Sequence, residues 1–306
     1  MSRRFVPQLL AIVISASCLV VGVRAAAPGG ATLSRIRAAG HVTFGYVADA
    51  RPFSYKDAGG NPAGYAIGLC GAVANQIRHD LSMPSLSEQW VPLTMENRFR
   101  AVQEGQVDVL CGGDTVTLAR RAQVAFSIPI FPGGIAAMMR ADAPARLQDV
   151  LAGRGQPFQP VWRAQATQIL QARDFSVVAG STAESWLSRR MKDLDVTAPV
   201  APVGDYTNGV QRLIDRRSDV FFGERAVLLD AAQHANGASL LVVDRFFTYE
   251  PLALVMARDD EDVRLLVDRA LSNAFRSGEL MKMYTKAFGE PDAATLNVLR
   301  WSALPE

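Results

Sequence analysis

The sequence predicts an α/β protein in two lobes of related build, on three observations. Short apolar runs alternate with segments of helical periodicity, the pattern of a parallel sheet covered by helices. A helix-strand unit ending in glycine occurs twice, at Asn97 to Gly112 and at Asn208 to Gly223, with identical spacing from Asn to Asp (Asp108, Asp219) to Gly. Each copy is followed by residues suited to binding, and ligands on open α/β sheets sit beyond the carboxyl ends of strands.

The elements follow in order. Thr32 to Ala39 reads as a short helix closed by Gly40, and Val42 to Val47 as a strand. Asp49 to Tyr55 is a loop carrying Pro52-Phe53, and Asp57 to Gly64 is rich in turn residues. Tyr65 to Leu81 is a helix with Ile67, Cys70, Ala74 and Ile77 on one face, which points Cys70 at the sheet. Trp90 to Leu93 is a strand, Glu96 to Glu104 a helix stopped by Gly105, and Val107 to Cys111 a strand. Ile135 to Met139 is a strand, Arg163 to Ala172 a helix, and Phe175 to Ala179 a strand ending at Gly180. Ser181 or Thr182 caps the helix Ala183 to Met191, with Glu184 in its first turn. After the second repeat unit, Leu252 to Met256 is a strand. Asp259 to Arg276 and Glu279 to Phe288 are helices, stopped by Gly278 and Gly289.

The most informative stretch is Cys111 to Phe131. Gly112 and Gly113 let backbone approach a ligand closely. Thr115 and Thr117 offer hydroxyls beside a helix start, where amides accept anions. Arg120 adds a planar fork that grips a carboxylate through two bonds, whereas Arg121 beside it is the better candidate for a surface position. The stretch predicts a loop that binds a small molecule bearing a carboxylate. In the second repeat unit the equivalent loop opens with Glu224, so a cation and an anion face each other, which suits a zwitterion. Glu224 at that position also suits a plain helix start. Thr115 and Thr117 also suit simple caps, and Arg98 a tie to a neighbouring carbonyl. Tyr46, Phe53 and Tyr65 suit the core, with Phe53 the best of them for a pocket. Arg51 is expected in solvent.

Residues 1–25 have the form of a secretory signal: Arg3 and Arg4, then the apolar run Leu9 to Val23, then small residues at Val23-Arg24-Ala25. The run is shorter than the ~20 residues of a spanning helix. Without this segment Lys+Arg falls from 32 to 29 against 30 acids, a net charge of −1, which excludes a basic nucleic-acid binder. Cys18 goes with it, and the remaining pair, Cys70 and Cys111, is expected to form a disulfide or else two buried thiols. Neither the cysteines nor His41, His79 and His234 have the spacing of a metal site, and no cofactor is expected.

In this order the residues resemble a known family. Pro52-Phe53-Ser54-Tyr55 with Gly64-Tyr65, Asn97-Arg98 with Gly105 and Asp108, and Thr115-Val-Thr117-Leu-Ala-Arg120 with Phe126-Ser127 look like its successive signatures. Gly180-Ser181-Thr182, Asp219 with Glu224, Glu250-Pro251 and Phe288-Gly289 complete the series. The chain resembles the periplasmic solute-binding proteins of family 3, which serve polar amino-acid ABC importers, near the glutamate/aspartate-binding subgroup. Cys70 and Cys111 resemble a cysteine pair of that subgroup.

The resemblance implies a periplasmic-binding-protein-like (type II) venus flytrap with two hinge crossovers. Lobe 1 would hold 30–132 plus 250–306, and lobe 2 133–249. It implies a periplasmic monomer that captures an amino acid between its lobes and delivers it to the membrane permease of an ABC importer. By resemblance, Arg120 binds the ligand α-carboxylate, aided by Thr115, Thr117, Gly113 and nearby amides, and met from lobe 2 by Ser181 and Thr182. Glu224 stands where the family usually has Asp for the α-ammonium. Ala50 replaces an aromatic lid, and Val47 replaces one of two side-chain arginines of glutamate/aspartate binders, whose other arginine is matched by Arg98. An acidic or polar amino acid is favoured. Two other readings fit the same fold. One is a dehydratase acting on cyclohexadienyl acids with Glu224 as general acid. The other is a ligand-sensing receptor module that contacts a membrane kinase in trans. No Ser-His-Asp set, Gly-x-Ser-x-Gly elbow or Walker loop occurs.

Overall fold

A computed structural model of the chain describes residues 30–154, 163–235 and 237–305. The predicted signal segment and Cys18 lie outside them. The first sheet has the order Ser87–Leu93, His41–Val47, Val109–Thr115, Glu250–Met256, Ala125–Phe126, with Phe131–Gly133 also paired to Glu250–Met256. The second has the order Val200–Val203, Phe175–Val178, Val220–Glu224, Ile135–Arg140, Leu240–Val242.

Three neighbouring strands of each sheet are parallel, as the alternation of strands and helices predicts. The others are antiparallel, which the expected parallel sheet did not include. Each of these crossing strands enters its sheet directly from the other sheet and not through a helix, so it runs against the strands that helices feed: Ile135–Arg140 follows Phe131–Gly133, and no helix separates Leu240–Val242 from Glu250–Met256. These two links carry the chain between the sheets and run side by side, Gly133 opposite Glu250 and Phe131 opposite Leu252. The result is a two-lobed α/β fold with two hinge crossovers. Glycine permits the close crossing, because a Cβ on Gly134 would sit 2.1 Å from the Thr248 carbonyl oxygen.

The repeated unit has a structural counterpart. Asp108 takes the Thr43 amide on its carboxylate at 2.8 Å and donates its own amide to the Thr43 carbonyl at 2.7 Å. Asp219 makes the same pair of bonds with Asp174, at 3.0 and 2.7 Å. Each Asp thus fixes the register of the strand that carries its lobe's binding residues, Val109–Thr115 or Val220–Glu224.

Helix Tyr65–Asp80 buries Leu69, Cys70, Val73, Ala74 and Ile77 against the first sheet, with Ile67 at the edge of that face. Cys70 is disulfide-bonded to Cys111 on strand Val109–Thr115, with Cα atoms 6.1 Å apart. The crosslink anchors the strand that launches the Arg120 turn. The stretch predicted to be a loop from Cys111 is therefore strand as far as Thr115, held by Thr115–Leu252 and Asp114–Ala253 pairing. Among the described residues no helix is long and apolar enough to cross a membrane. No group of three or more His, Cys, Asp or Glu there could hold a metal ion.

Candidate ligand-binding cleft

Between the two sheets lies a cleft with about 50 Å³ of cavity, room for a few waters. Its walls include Phe53, Arg98, Gly113, Thr115 and Arg120 from the first-sheet side, and Ser181, Thr182 and Glu224 from the other. Eight of the nine predicted binding residues therefore converge. Thr117 does not join them: its hydroxyl accepts the Arg120 amide at 3.1 Å and caps the one-turn helix Leu118–Arg121.

Arg120 reaches across the cleft. One guanidinium nitrogen donates to the Thr115 carbonyl at 3.0 Å and another to Gly180 of the opposite wall at 3.3 Å. The group lies 4.9 Å from the centre of the Phe99 ring. Among the described residues no carboxylate oxygen comes within 4.0 Å of it. Burial, followed by the neighbouring Arg98 charge, pulls its pKa down to about 10. A partly buried cation with only carbonyl partners is set up to take an anion.

Arg98 is placed differently. It is 1 % exposed, pairs with Asp114 at 2.7 Å, and also donates to the Met95 carbonyl. Its guanidinium borders the cleft, but its charge is already matched within the wall. The carbonyl tie is thus present together with an ion pair that spacing did not reveal. Phe53 is 1 % exposed and forms the floor, with Phe131 and Phe288 rings 5.0 and 5.3 Å away. Gly113 lies against that ring, since a Cβ there would come within 2.8 Å of Phe53 Cγ.

On the opposite wall, Ser181 caps helix Thr182–Asp193. It accepts the Glu184 amide at 3.2 Å and donates to the Val178 carbonyl at 2.6 Å, so its hydroxyl is occupied. Glu224 caps helix Arg225–His234. Its carboxyl accepts the Gly134 amide at 2.9 Å and the Ala226 amide at 3.4 Å. Burial pushes the pKa up to about 8 against those two amides, with the Glu250 charge adding to the rise. The helix-start role and the cleft position coexist in one side chain.

Several contacts around the cleft are not encoded by spacing. Glu250 accepts hydroxyl hydrogen bonds from Thr115 and Thr182, each at 2.9 Å, and from Thr248 at 2.8 Å. The Glu250-Pro251 pair was visible in sequence, but only as a family mark. Asp49 accepts the Tyr206 amide at 2.8 Å, tying the first loop to the start of helix Tyr206–Ile214. Burial raises its pKa, and nearby Asp205 adds to the rise. Arg51 keeps the exposure expected of it, with 42 % of its side chain accessible, while pairing with Asp230 at 3.3 Å and lying 3.9 Å over the Tyr55 ring.

Curated relatives match nearly the whole chain. The L-glutamate/L-aspartate-binding protein of Pseudomonas aeruginosa is 27% identical over 290 residues, 94% of this chain and 89% of the relative. The glutamate/aspartate import solute-binding protein of Escherichia coli K12 is 25% identical over the same coverage. Among solved structures, an ancestral amino acid-binding protein, a precursor of cyclohexadienyl dehydratase, superposes with a TM-score of 0.68 and 25% identity. That superposition covers 84% of this chain and 99% of the other. The sequence profile of one family spans residues 42–290, and so takes in both sheets, both crossovers and every wall of the cleft. By that match the chain belongs to the bacterial extracellular solute-binding proteins, family 3.

Proposed function

We propose that this protein captures an amino acid, acidic or polar, between its lobes outside the cytoplasm and delivers it to the membrane permease of an ABC importer. The observation that carries the reading is Arg120, a cleft cation with no carboxylate partner among the described residues, set across the cleft from Glu224. Arg120 takes the ligand α-carboxylate and Glu224 its ammonium. Gly113 and Phe53 shape the floor, Ser181 and Thr182 close the far wall, and Arg98 borders the side-chain end. The glutamate- and aspartate-binding relatives support an acidic ligand.

In this reading lobe 1 comprises 30–132 plus 250–306 and lobe 2 comprises 133–249. The lobes part to admit a ligand too large for the closed cavity and shut around it. Residues 1–25 act as the export signal, placing the mature monomer in the periplasm. A panel of amino acids screened by thermal shift tests this. One or a few raise the melting temperature of the wild type, and Arg120→Ala loses that rise while keeping its own folding transition. A flat panel refutes the reading.

One observation favours a second reading. Glu224 is a partly buried cleft carboxyl held largely protonated at neutral pH, as a general acid must be. Turnover of a cyclohexadienyl acid by the wild type, lost in Glu224→Gln, would establish a dehydratase.

A further inference from the structure

We propose that the rim segment Asp49-Ala50-Arg51 is a clasp, in which Asp49 and Arg51 fasten the two lobes over the ligand and set how long it stays. The inference rests on the capture reading above and goes beyond it, since neither residue belongs to the clamp of Arg120 and Glu224.

Asp49–Ala50 is a two-residue strand paired with Ser54–Lys56 on the first-sheet side. Ala50 lines the cleft, and the residues on either side of it reach the opposite wall. Asp49 accepts the Tyr206 amide at 2.8 Å and the Thr207 amide at 3.5 Å. These are the first two amides of helix Tyr206–Ile214, which have no acceptor within the helix. Arg51 reaches the next helix, Arg225–His234, and pairs with Asp230 at 3.3 Å. One three-residue segment thus holds two helices of the other lobe.

Neither helix depends on this segment for its own closure. Asp205 already caps helix Tyr206–Ile214, accepting the Asn208 amide at 2.7 Å. The Asp230 carboxylate also lies 3.3 Å from His234, one turn along its own helix. The contacts of Asp49 and Arg51 therefore form when the lobes meet and break when they part. Their strength is limited. The positive end of the helix dipole favours the Asp49 carboxylate. Burial opposes it, and the Asp205 charge at the same helix start adds to that opposition. The Arg51 pair is partly open to solvent and contributes less. Such a clasp holds and still reopens, as capture followed by delivery requires.

Two measurements test the clasp: stopped-flow release of L-glutamate, and single-molecule fluorescence between dyes placed on the two lobes. In Asp49→Ala the ligand leaves about tenfold faster, the worth of a hydrogen bond to a charged group, while association stays within about twofold. Asp49→Asn keeps an acceptor and recovers part of the loss. Arg51→Ala, at an exposed pair, speeds release by about twofold. The population with the dyes far apart grows most in Asp49→Ala. A residue that only supports its own loop would lower the melting temperature without moving either readout. Unchanged release or unchanged dye distances in Asp49→Ala overturns the clasp, whatever the melting temperature. A wild type that binds no amino acid refutes the capture reading, and the dye distances then decide alone: a larger open population in Asp49→Ala supports the clasp, and equal populations overturn it.

Discussion

On the proposed ammonium contact at Glu224, ligand capture should release a proton. Its carboxyl sits at a pKa of about 8 in the empty cleft, raised from 4.5 mainly by burial. At pH 7 about nine-tenths of empty clefts therefore hold it neutral. An ammonium a few ångströms away favours the ionised form and lowers such a pKa by about 1–3 units. Binding then expels up to about 0.9 proton per ligand at pH 7. Affinity rises with pH between the two pKa values, by up to about tenfold per unit, and levels off above about pH 8. Titrating L-glutamate at one pH, in two buffers of different ionisation enthalpy, counts the proton directly. Glu224→Gln should bind more weakly and release none. A count of zero in the wild type, or an equal count in the variant, would refute an ammonium contact at Glu224. The sign for the empty protein is the opposite. The folded state holds the proton more tightly than the unfolded chain, so the Glu224 contribution to stability declines as pH rises from about 4.5 through about 8.

Two further predictions concern the frame of the cleft. The Cys70–Cys111 bond spans a sequence separation of 41, and Cys70→Ser with Cys111→Ser should cost about 4 kcal/mol in urea denaturation on the chain-entropy account. A loss below about 1 kcal/mol would show that the crosslink adds little to the packing of helix Tyr65–Asp80. Asp114→Ala strands the buried Arg98 guanidinium and should cost about 3–5 kcal/mol, while Arg98→Met combined with Asp114→Leu should recover most of it. Equal losses in both variants would mean that packing, rather than an uncompensated charge, sets the cost.

What was legible in the sequence was local. Helix faces, capping residues and the Asn-to-Gly repeat are encoded by spacing, so the strands that carry Thr115 and Glu224 were found with their flanking glycines. The disulfide followed from cysteine count and from Cys70 lying on an inward face. What escaped depends on residues far apart in the chain. Gly112 and Gly113 argue for a loop by propensity, yet pairing with Leu252 and Ala253 keeps the strand extended to Thr115. Arg98 looked free for a ligand because its partner Asp114 lies on another element. Glu250 read only as a family mark because Thr115, Thr182 and Thr248 meet only once the crossovers bring the walls together. Arg51 and Asp49 find partners across the cleft in the same way.

In the proposed complex Arg120 and Glu224 clamp an α-amino acid between the lobes. Native mass spectrometry of freshly purified protein tests it most directly, since tight binders often keep their ligand through purification. A mass adduct that dissociates as one amino acid is expected from the wild type and not from Arg120→Ala. Recovery of the same adduct from Arg120→Ala, or of a wild-type adduct lacking either a carboxylate or an amine, would contradict it.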